Sequence, residues 1–296
     1  MAEMSGLTLV AGADLMSRAP YAMPKQNTKH IRDLALLETS EPTRFAHDSM
    51  VETFGEFGPV KLATRAAIEG ELTRADNDSF VKQAHKTAIE AQDMGDLGLE
   101  IAPVTVPQRK GAPTVIISDE NARRDLSDAK LKKMEPLGDL DAGLTTASVL
   151  DCSDGAAAML VAKADQQEAL GLSRLASLTA LGQSALQPGK GMEAMVALIA
   201  EVLAAAELSL DQMSLLEVAE HSAPEAIMIR RALGLGLEEP RLNALGSTLA
   251  LGAPHGMSDL RMIGSAALQL RNGDGTHALI ASYNAYGQAF VVILTK

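Results

Sequence analysis

The feature that most constrains the fold is an alternation of helical and extended segments in the last third of the chain. Helices are predicted where apolar residues recur at helical spacing, in GMEAMVALIAEVLAAAEL from Gly191, APEAIMIRRALGL from Ala223 and SDLRMIGSAALQLRNG from Ser258. Strands are predicted in MSLLEVAE and on either side of a glycine in HALIASYNAYGQAFVVILTK. This alternation predicts an α/β fold with helices on both faces of a sheet.

The earlier part of the chain has a different texture. LTLVAG at residues 7–12 predicts a short buried strand that ends in glycine. RADNDSFVKQAHKTAIEAQDMG has the periodicity of a helix, with Asp76 placed to cap its start and Gly95 to end it. LGLEIAPVTVP alternates as an edge strand closed by proline, and charge is high throughout this section. We therefore expect a helical insertion at about residues 25–138.

These patterns divide the chain into two halves. The first, residues 1–170, contains the insertion, and the second, residues 171–296, contains the regular alternation. The segment between them, DAGLTTASVLDCSDGAAAMLVAKADQQEALGL, returns to glycine turns, small residues and a short apolar strand.

Composition excludes several functional classes. The net charge of −12 argues against a nucleic-acid surface, and it repels an acidic substrate unless local basic groups receive that substrate. The longest apolar segment contains Glu193, Glu201 and Glu207, which favours an amphipathic helix over a membrane span. Cys152 is the only cysteine, so no internal disulfide is possible and a cytoplasmic location is predicted. None of the common metal or phosphate motifs is present, and we predict no metal site.

Four segments, read in order, resemble the thiolase family of acyl-CoA acyltransferases. They are VAGADLMSRAPY, FVKQAHKTAIEAQDMGDLGLEIAPVTVP, DENARRDLSDAKLKKMEPL and TTASVLDCSDGAAAMLV. The resemblance implies a five-layered αβαβα fold with a helical loop domain, dimers or tetramers, and coenzyme A thioester chemistry. It also implies a nucleophilic cysteine in a motif that precedes the VAG strand. We therefore expect the first half of the fold to be incomplete in this chain, and the nucleophile to be missing from it.

Three more loops of the family's site are recognisable, and each has lost its reactive group. In AEHSA, Ala219 stands where the resemblance implies Asn or His; in GAP, Ala253 stands where it implies His. In SYNAYGQ, Tyr283 takes the position of a second cysteine. Alanine cannot transfer a proton, and a phenol with a pKa near ~10 is a poor acid/base at neutral pH. We therefore assign no catalytic role to these three positions and expect Tyr283 to fill the emptied pocket.

Two histidines and the cysteine remain weaker candidates for catalysis. Cys152 is a candidate relocated nucleophile, with His221 or His255 as its base, because such a pair needs closeness in space rather than in sequence. The alternative is that Cys152 is a small core residue. His255 follows the expected histidine position by two residues and a proline, which makes it a poor replacement.

Other polar residues are candidates for coenzyme A contacts. His85 lies in a stretch similar to the family's SH-RA pattern, although a surface histidine on a helix is the alternative. Phosphate-binding candidates are Lys82, Lys86, Arg123 and Arg124, whose alternative is a solvated charged face. The remaining histidines, which have no motif context, are His30, His47 and His277.

Three functional hypotheses follow. The chain is a non-catalytic thiolase-like subunit, which forms a homodimer or a heteromer with another thiolase-like chain. Alternatively it is part of an acetyl-CoA C-acyltransferase that is active only when a separate chain supplies the nucleophilic cysteine. A shortened reading frame of a longer protein is the third possibility, and open strand edges would then promote association. In each case coenzyme A or an acyl-CoA is a transient ligand and no cofactor is bound permanently.

Overall fold

A four-stranded sheet organises the second half of the chain. The computed structural model describes residues 6–22, 37–38, 48–151 and 153–296. Its strands are β1 (Leu7–Leu15), β2 (Tyr21–Ala22), β3 (Leu37–Glu38), β4 (Val104–Val106), β5 (Thr114–Ile116), β6 (Asp154–Ala162), β7 (Ser177–Ala185), β8 (Leu215–Val218), β9 (His277–Tyr283) and β10 (Gln288–Thr295). The four-stranded sheet has the order β7-β10-β9-β8, in which only β8 and β9 are parallel.

The helices are distributed over both halves. They are α1 (Asp48–Phe54), α2 (Pro59–Glu69), α3 (Arg74–Met94), α4 (Asp128–Leu131), α5 (Ala164–Ala169), α6 (Gly191–Ala205), α7 (Ala223–Ala232), α8 (Thr248–Leu251) and α9 (Ser258–Asn272). Within the described ranges, none of them is long and apolar enough to cross a bilayer.

Helices lie on both faces of the four-stranded sheet, as the sequence predicts, although edge strand β7 leaves Leu178 and Leu181 more than half exposed. Successive side chains of a strand point to opposite faces. In β9, Leu279 and Ala281 join the core under α6, whereas Ala278 and Ile280 join the core under α9. The strand is fully buried because each face meets a helix.

Strand β7 is an element that the sequence analysis did not identify. Its sequence, SLTALGQSA, is rich in small residues that carry little strand propensity. Gly182 is required there, because a Cβ at that position would overlap the side chain of Val202 in α6. The close approach of α6 thus removes the β-branched side chains by which a strand is usually recognised.

The predicted N-terminal strand exists, but the prediction that it is buried is wrong. Strand β1 continues past the glycine to Leu15 and pairs along its whole length with β6, from Leu7 opposite Ala162 to Leu15 opposite Asp154. One face of this pair packs on α9. The other face leaves Leu9 66% exposed and Leu15 61% exposed, because no element within the described ranges covers it.

The insertion is helical, with two differences from the prediction. Thr73, rather than Asp76, is the N-cap of α3, and Asp76 is the third residue of a capping box that bonds back to Thr73. Gly95 ends the helix in the left-handed conformation, as predicted. The edge strand predicted over LGLEIAPVTVP is only the three residues of β4, because the start of this segment belongs to a 3-10 turn at Asp96–Leu99.

Candidate functional site

A cavity of about 1130 Å³ lies where the two halves of the chain meet. Its walls come from the middle of β1, the loop after β8, the first turn of α7, the turn before α9 and the loop between β9 and β10. Three of these regions carry the degenerate motifs: the loop after β8, the turn before α9, and the end of β9 with the loop that follows it. The fold therefore brings Ala219, Ala253 and Tyr283 to one cavity, together with His221 and His255.

The loop after β8 is held by a buried ion pair. Arg230 Nη2 donates to Glu220 Oε1 at 3.0 Å, and Asn243 Nδ2 donates to the same oxygen at 2.8 Å. Thr248 donates its hydroxyl proton to the backbone carbonyl of Glu220 at 2.7 Å. Glu220 therefore fixes the backbone that presents Ala219 and His221 to the cavity.

The turn before α9 depends on its glycines. Gly252 has φ 92°, and a Cβ there would overlap the hydroxyl of Ser153. A Cβ on Gly12 of β1 would overlap the carbonyl oxygen of Gly256, so β1 and this turn can approach only where both lack side chains. Asp14 also accepts a hydrogen bond from the Gly256 amide. The turn is a preserved scaffold, and it exposes the side chain of His255 at the cavity rim.

Tyr283 lines the cavity but does not fill it, contrary to the prediction that it plugs the pocket. Its ring centroid lies 4.3 Å from that of His221, with the rings tilted by 36°. The phenol oxygen is buried and has no hydrogen bond of normal geometry. Burial, and then the nearby Glu225 carboxylate, raise the pKa of Tyr283 well above 10. Tyr283 is therefore neutral at physiological pH.

His221 is also neutral at pH 7. Burial lowers its pKa from 6.5 to about 4, and the nearby His255 lowers it further in the same direction. The neutral ring is therefore a weak base at pH 7.

Glu225 is a site residue that the sequence analysis missed. It lies in the first turn of α7, is 4% exposed and faces the cavity. Ser222 Oγ donates to Glu225 Oε2 at 2.6 Å, and burial raises the pKa of Glu225 to about 7. In the sequence, a serine followed three residues later by glutamate predicts only a helix cap. Nothing local indicates that this carboxyl faces a cavity.

The structure places His85 away from the cavity lining and contradicts the alternative that it is a surface histidine. The ring is 3% exposed, and its Nδ1 accepts a hydrogen bond from the backbone amide of Arg123 at 3.1 Å. Burial lowers its pKa to about 4. His85 is on the buried side of α3, where it fixes the segment that covers the helix.

The predicted phosphate-binding cations are each paired with a carboxylate. The pairs and N–O distances are Lys82–Asp128 at 2.8 Å, Lys86–Glu90 at 3.6 Å, Arg123–Asp151 at 3.9 Å and Arg124–Asp93 at 2.6 Å. Most of these side chains remain exposed, and a role in phosphate binding stays a prediction.

The other predicted candidates take no part in the described site. Cys152, His30 and His47 lie outside the described residues. His277 shares a hydrogen bond with the hydroxyl of Thr295 at 3.0 Å. Where the structure describes the chain, no three histidine, cysteine, aspartate or glutamate side chains are grouped to hold a metal ion.

Comparisons with known proteins match this architecture. A family model for the thiolase N-terminal domain matches residues 1–165, and one for the thiolase C-terminal domain matches residues 172–296. The β-ketoadipyl-CoA thiolase of Acinetobacter baylyi is 31% identical over 290 residues, which are 98% of this chain and 72% of that protein. The 3-oxoadipyl-CoA/3-oxo-5,6-dehydrosuberyl-CoA thiolase of Escherichia coli K12 is 30% identical with the same coverage.

Solved structures agree in fold. Human mitochondrial 3-ketoacyl-CoA thiolase superposes with a TM-score of 0.86 at 26% identity, over 98% of this chain and 72% of the human chain. The same human enzyme in complex with CoA superposes with a TM-score of 0.85 at 26% identity, over 98% of this chain and 71% of that chain. These matches confirm the family resemblance and the layered α/β fold.

Proposed function

Since the chain belongs to the thiolase family, we propose that it binds coenzyme A thioesters without transferring their acyl groups by itself. One observation carries this proposal: the three loops that meet at the cavity present two methyl groups and a buried phenol. Ala219, Ala253 and Tyr283 occupy the positions at which the family resemblance implies proton-transferring or oxygen-polarising side chains.

None of the three family positions at this cavity supplies an acid or a base for the family reaction. Thiolysis of a 3-ketoacyl thioester requires removal of a thiol proton and stabilisation of a developing enolate. A methyl group does neither, and the raised pKa of Tyr283 keeps its proton in place. Groups that act together in a site lose most of their effect when one is removed, so three losses leave little basis for turnover.

Binding is supported by what remains. The cavity volume of about 1130 Å³ slightly exceeds the ~300–1,000 Å³ typical of ligand pockets, so it is large enough for a ligand of that class. The residues that fix the backbone of the site are present: Glu220 pairs with Arg230, and Gly252 allows the close approach of Ser153. The human neighbour is known in complex with CoA, which makes a CoA thioester the natural ligand to test.

The test combines an activity assay with a binding assay on the purified chain. Acetoacetyl-CoA is incubated with CoA, and the release of acetyl-CoA is followed by liquid chromatography. We expect no release above the protein-free blank, whereas calorimetry detects binding of acetoacetyl-CoA. Turnover that disappears in His255→Ala or Cys152→Ser would show a relocated active site and refute the proposal.

A second candidate is a partner-dependent acyltransferase, in which another chain supplies the nucleophilic cysteine. The exposed apolar face of β1 and β6 favours it, because such a face is suited to being covered by another polypeptide. Native mass spectrometry of the complex isolated from its source distinguishes the candidates. A homodimer supports the non-catalytic subunit; a stoichiometric second chain whose addition restores turnover supports the acyltransferase.

The single cysteine is our reason to propose a cytoplasmic location.

A further inference from the structure

The cavity lining contains more acidic than basic side chains. Asp151, Glu225 and Asp259 are acidic, and His221 and His255 are the basic groups. No lysine or arginine is present among the described lining residues. Asp151, Asp259 and His255 are at the exposed rim, whereas Glu225 is at the buried end, next to Tyr283.

Arg65, the cation whose charge acts on Glu225, is engaged with other groups. Arg65 donates to the carbonyl oxygen of Gly189, and its Nη2 lies 3.5 Å from a carboxylate oxygen of Glu193. Lys190 contacts the same Glu193 oxygen at 2.7 Å. The two positive charges of Arg65 and Lys190 are balanced by the two carboxylates of Glu193 and Glu225. The buried end of the cavity therefore has no net positive charge.

We infer that Glu225 makes the cavity selective for uncharged acyl groups and excludes acyl chains that end in a carboxylate. This inference rests on the proposed binding of CoA thioesters. The charged nucleotide part of such a ligand stays at the exposed rim, and the acyl group occupies the buried end. A second carboxylate placed there loses its hydration, meets a like charge and finds no cation to pair with.

The inference separates this chain from relatives of similar sequence. Several are named for β-ketoadipyl-CoA or 3-oxoadipyl-CoA, whose acyl chain ends in a carboxylate. On this inference, an identity near 30% with these relatives does not mean that this cavity binds the same acyl groups.

The experiment compares two thioesters with six-carbon acyl chains, hexanoyl-CoA and adipyl-CoA, which differ by the terminal carboxylate. Their dissociation constants are measured by calorimetry at pH 8 with the purified chain. We expect hexanoyl-CoA to bind at least about tenfold more tightly, the factor that corresponds to about 1.4 kcal/mol. Glu225→Gln keeps an oxygen for the Ser222 hydroxyl and removes the charge, so it should reduce the ratio of the two dissociation constants several-fold. Glu201→Gln makes the same charge change on the exposed side of α6 and should leave the difference intact.

A second measurement uses the unmodified chain, in case Glu225→Gln fails to fold. The pKa of Glu225 is about 7, so the carboxyl is mostly neutral at pH 6 and mostly ionised at pH 8. The preference for hexanoyl-CoA should therefore grow several-fold from pH 6 to pH 8. The rim groups His255, Asp151 and Asp259 also face the cavity, and His221 faces Tyr283. His255→Gln, at the exposed rim, should keep this pH dependence if Glu225 causes it.

The outcomes separate this inference from the function on which it rests. Equal affinity for the two thioesters at pH 8, or a preference that does not change with pH, overturns the selectivity and leaves CoA-thioester binding in place. Failure of both thioesters to bind overturns the proposed function and the inference together.

Discussion

The buried ion pair beneath the site loop gives the sharpest test of how this cavity is built. Arg230 and Glu220 have side chains only 9% and 5% exposed, and Glu220 also accepts from Asn243. Glu220→Gln keeps the size of the side chain and an oxygen for Asn243, but it leaves the Arg230 guanidinium buried without its counter-charge. Breaking such a pair typically costs ~3–5 kcal/mol, and the retained amide contact favours the lower end, about 3 kcal/mol.

The assay is urea-induced unfolding followed by circular dichroism. Glu90→Gln is the matched control, because it breaks the pair with Lys86, whose side chains are 52% and 61% exposed. An exposed pair of this kind contributes about 0.5 kcal/mol or less. The double variant Glu220→Gln/Arg230→Met removes the uncompensated charge and should regain part of the stability. A loss for Glu220→Gln no larger than that of Glu90→Gln would refute the account of the loop.

Three further predictions concern backbone approach and protonation. Gly12→Ala places a Cβ against the carbonyl oxygen of Gly256, and it should destabilise the chain by about 1–3 kcal/mol in the same urea assay, whereas Gly98→Ala, whose Cβ meets open space, should not. The pKa of His85 is about 4 in the folded chain against 6.5 for an ordinary histidine, so its contribution to stability is fully present above pH 6.5 and falls by up to about 3 kcal/mol as the pH drops towards 4; His85→Gln should remove this share of the acid destabilisation and leave the share of His221, whose pKa is lowered equally. The raised pKa of Glu225 acts in the opposite direction, because ionising a buried carboxyl opposes folding; stability should fall as the pH rises from about 4.5 to about 7 and change little above that, and Glu225→Gln should remove part of this loss in thermal unfolding at pH 8, the rest coming from Glu217, whose pKa burial also raises to about 7.

The sequence predicts those elements whose burial follows a simple period. Helices α6 and α9 each bury one face in a core, so their apolar residues recur at helical spacing. Strands β9 and β10 lie between these two cores and are therefore apolar runs on either side of a glycine. Strand β7 escaped prediction because the approach of α6 requires small residues such as Gly182. The burial of β1 was predicted wrongly because strand composition does not reveal whether a neighbour covers each face.

The candidate site was predictable only in part. Family resemblance located the loops of Ala219, Ala253 and Tyr283, and the fold places them on one cavity. Glu225 was not predictable, because a helix-capping glutamate looks the same in sequence whether it faces water or a cavity. The burial of His85 was not predicted, because its helix is polar overall and the buried residues form a narrow stripe.

The uncovered face of β1 and β6 has a consequence for how any assembly of this chain responds to its surroundings. Leu7, Leu9, Leu15 and Leu160 are exposed on that face, with alanines between them. Association through such a surface weakens on cooling and is strengthened by sulfate, since it depends on release of water from apolar groups. A complex formed there should therefore dissociate in the cold yet persist at ionic strengths that separate subunits held by charge.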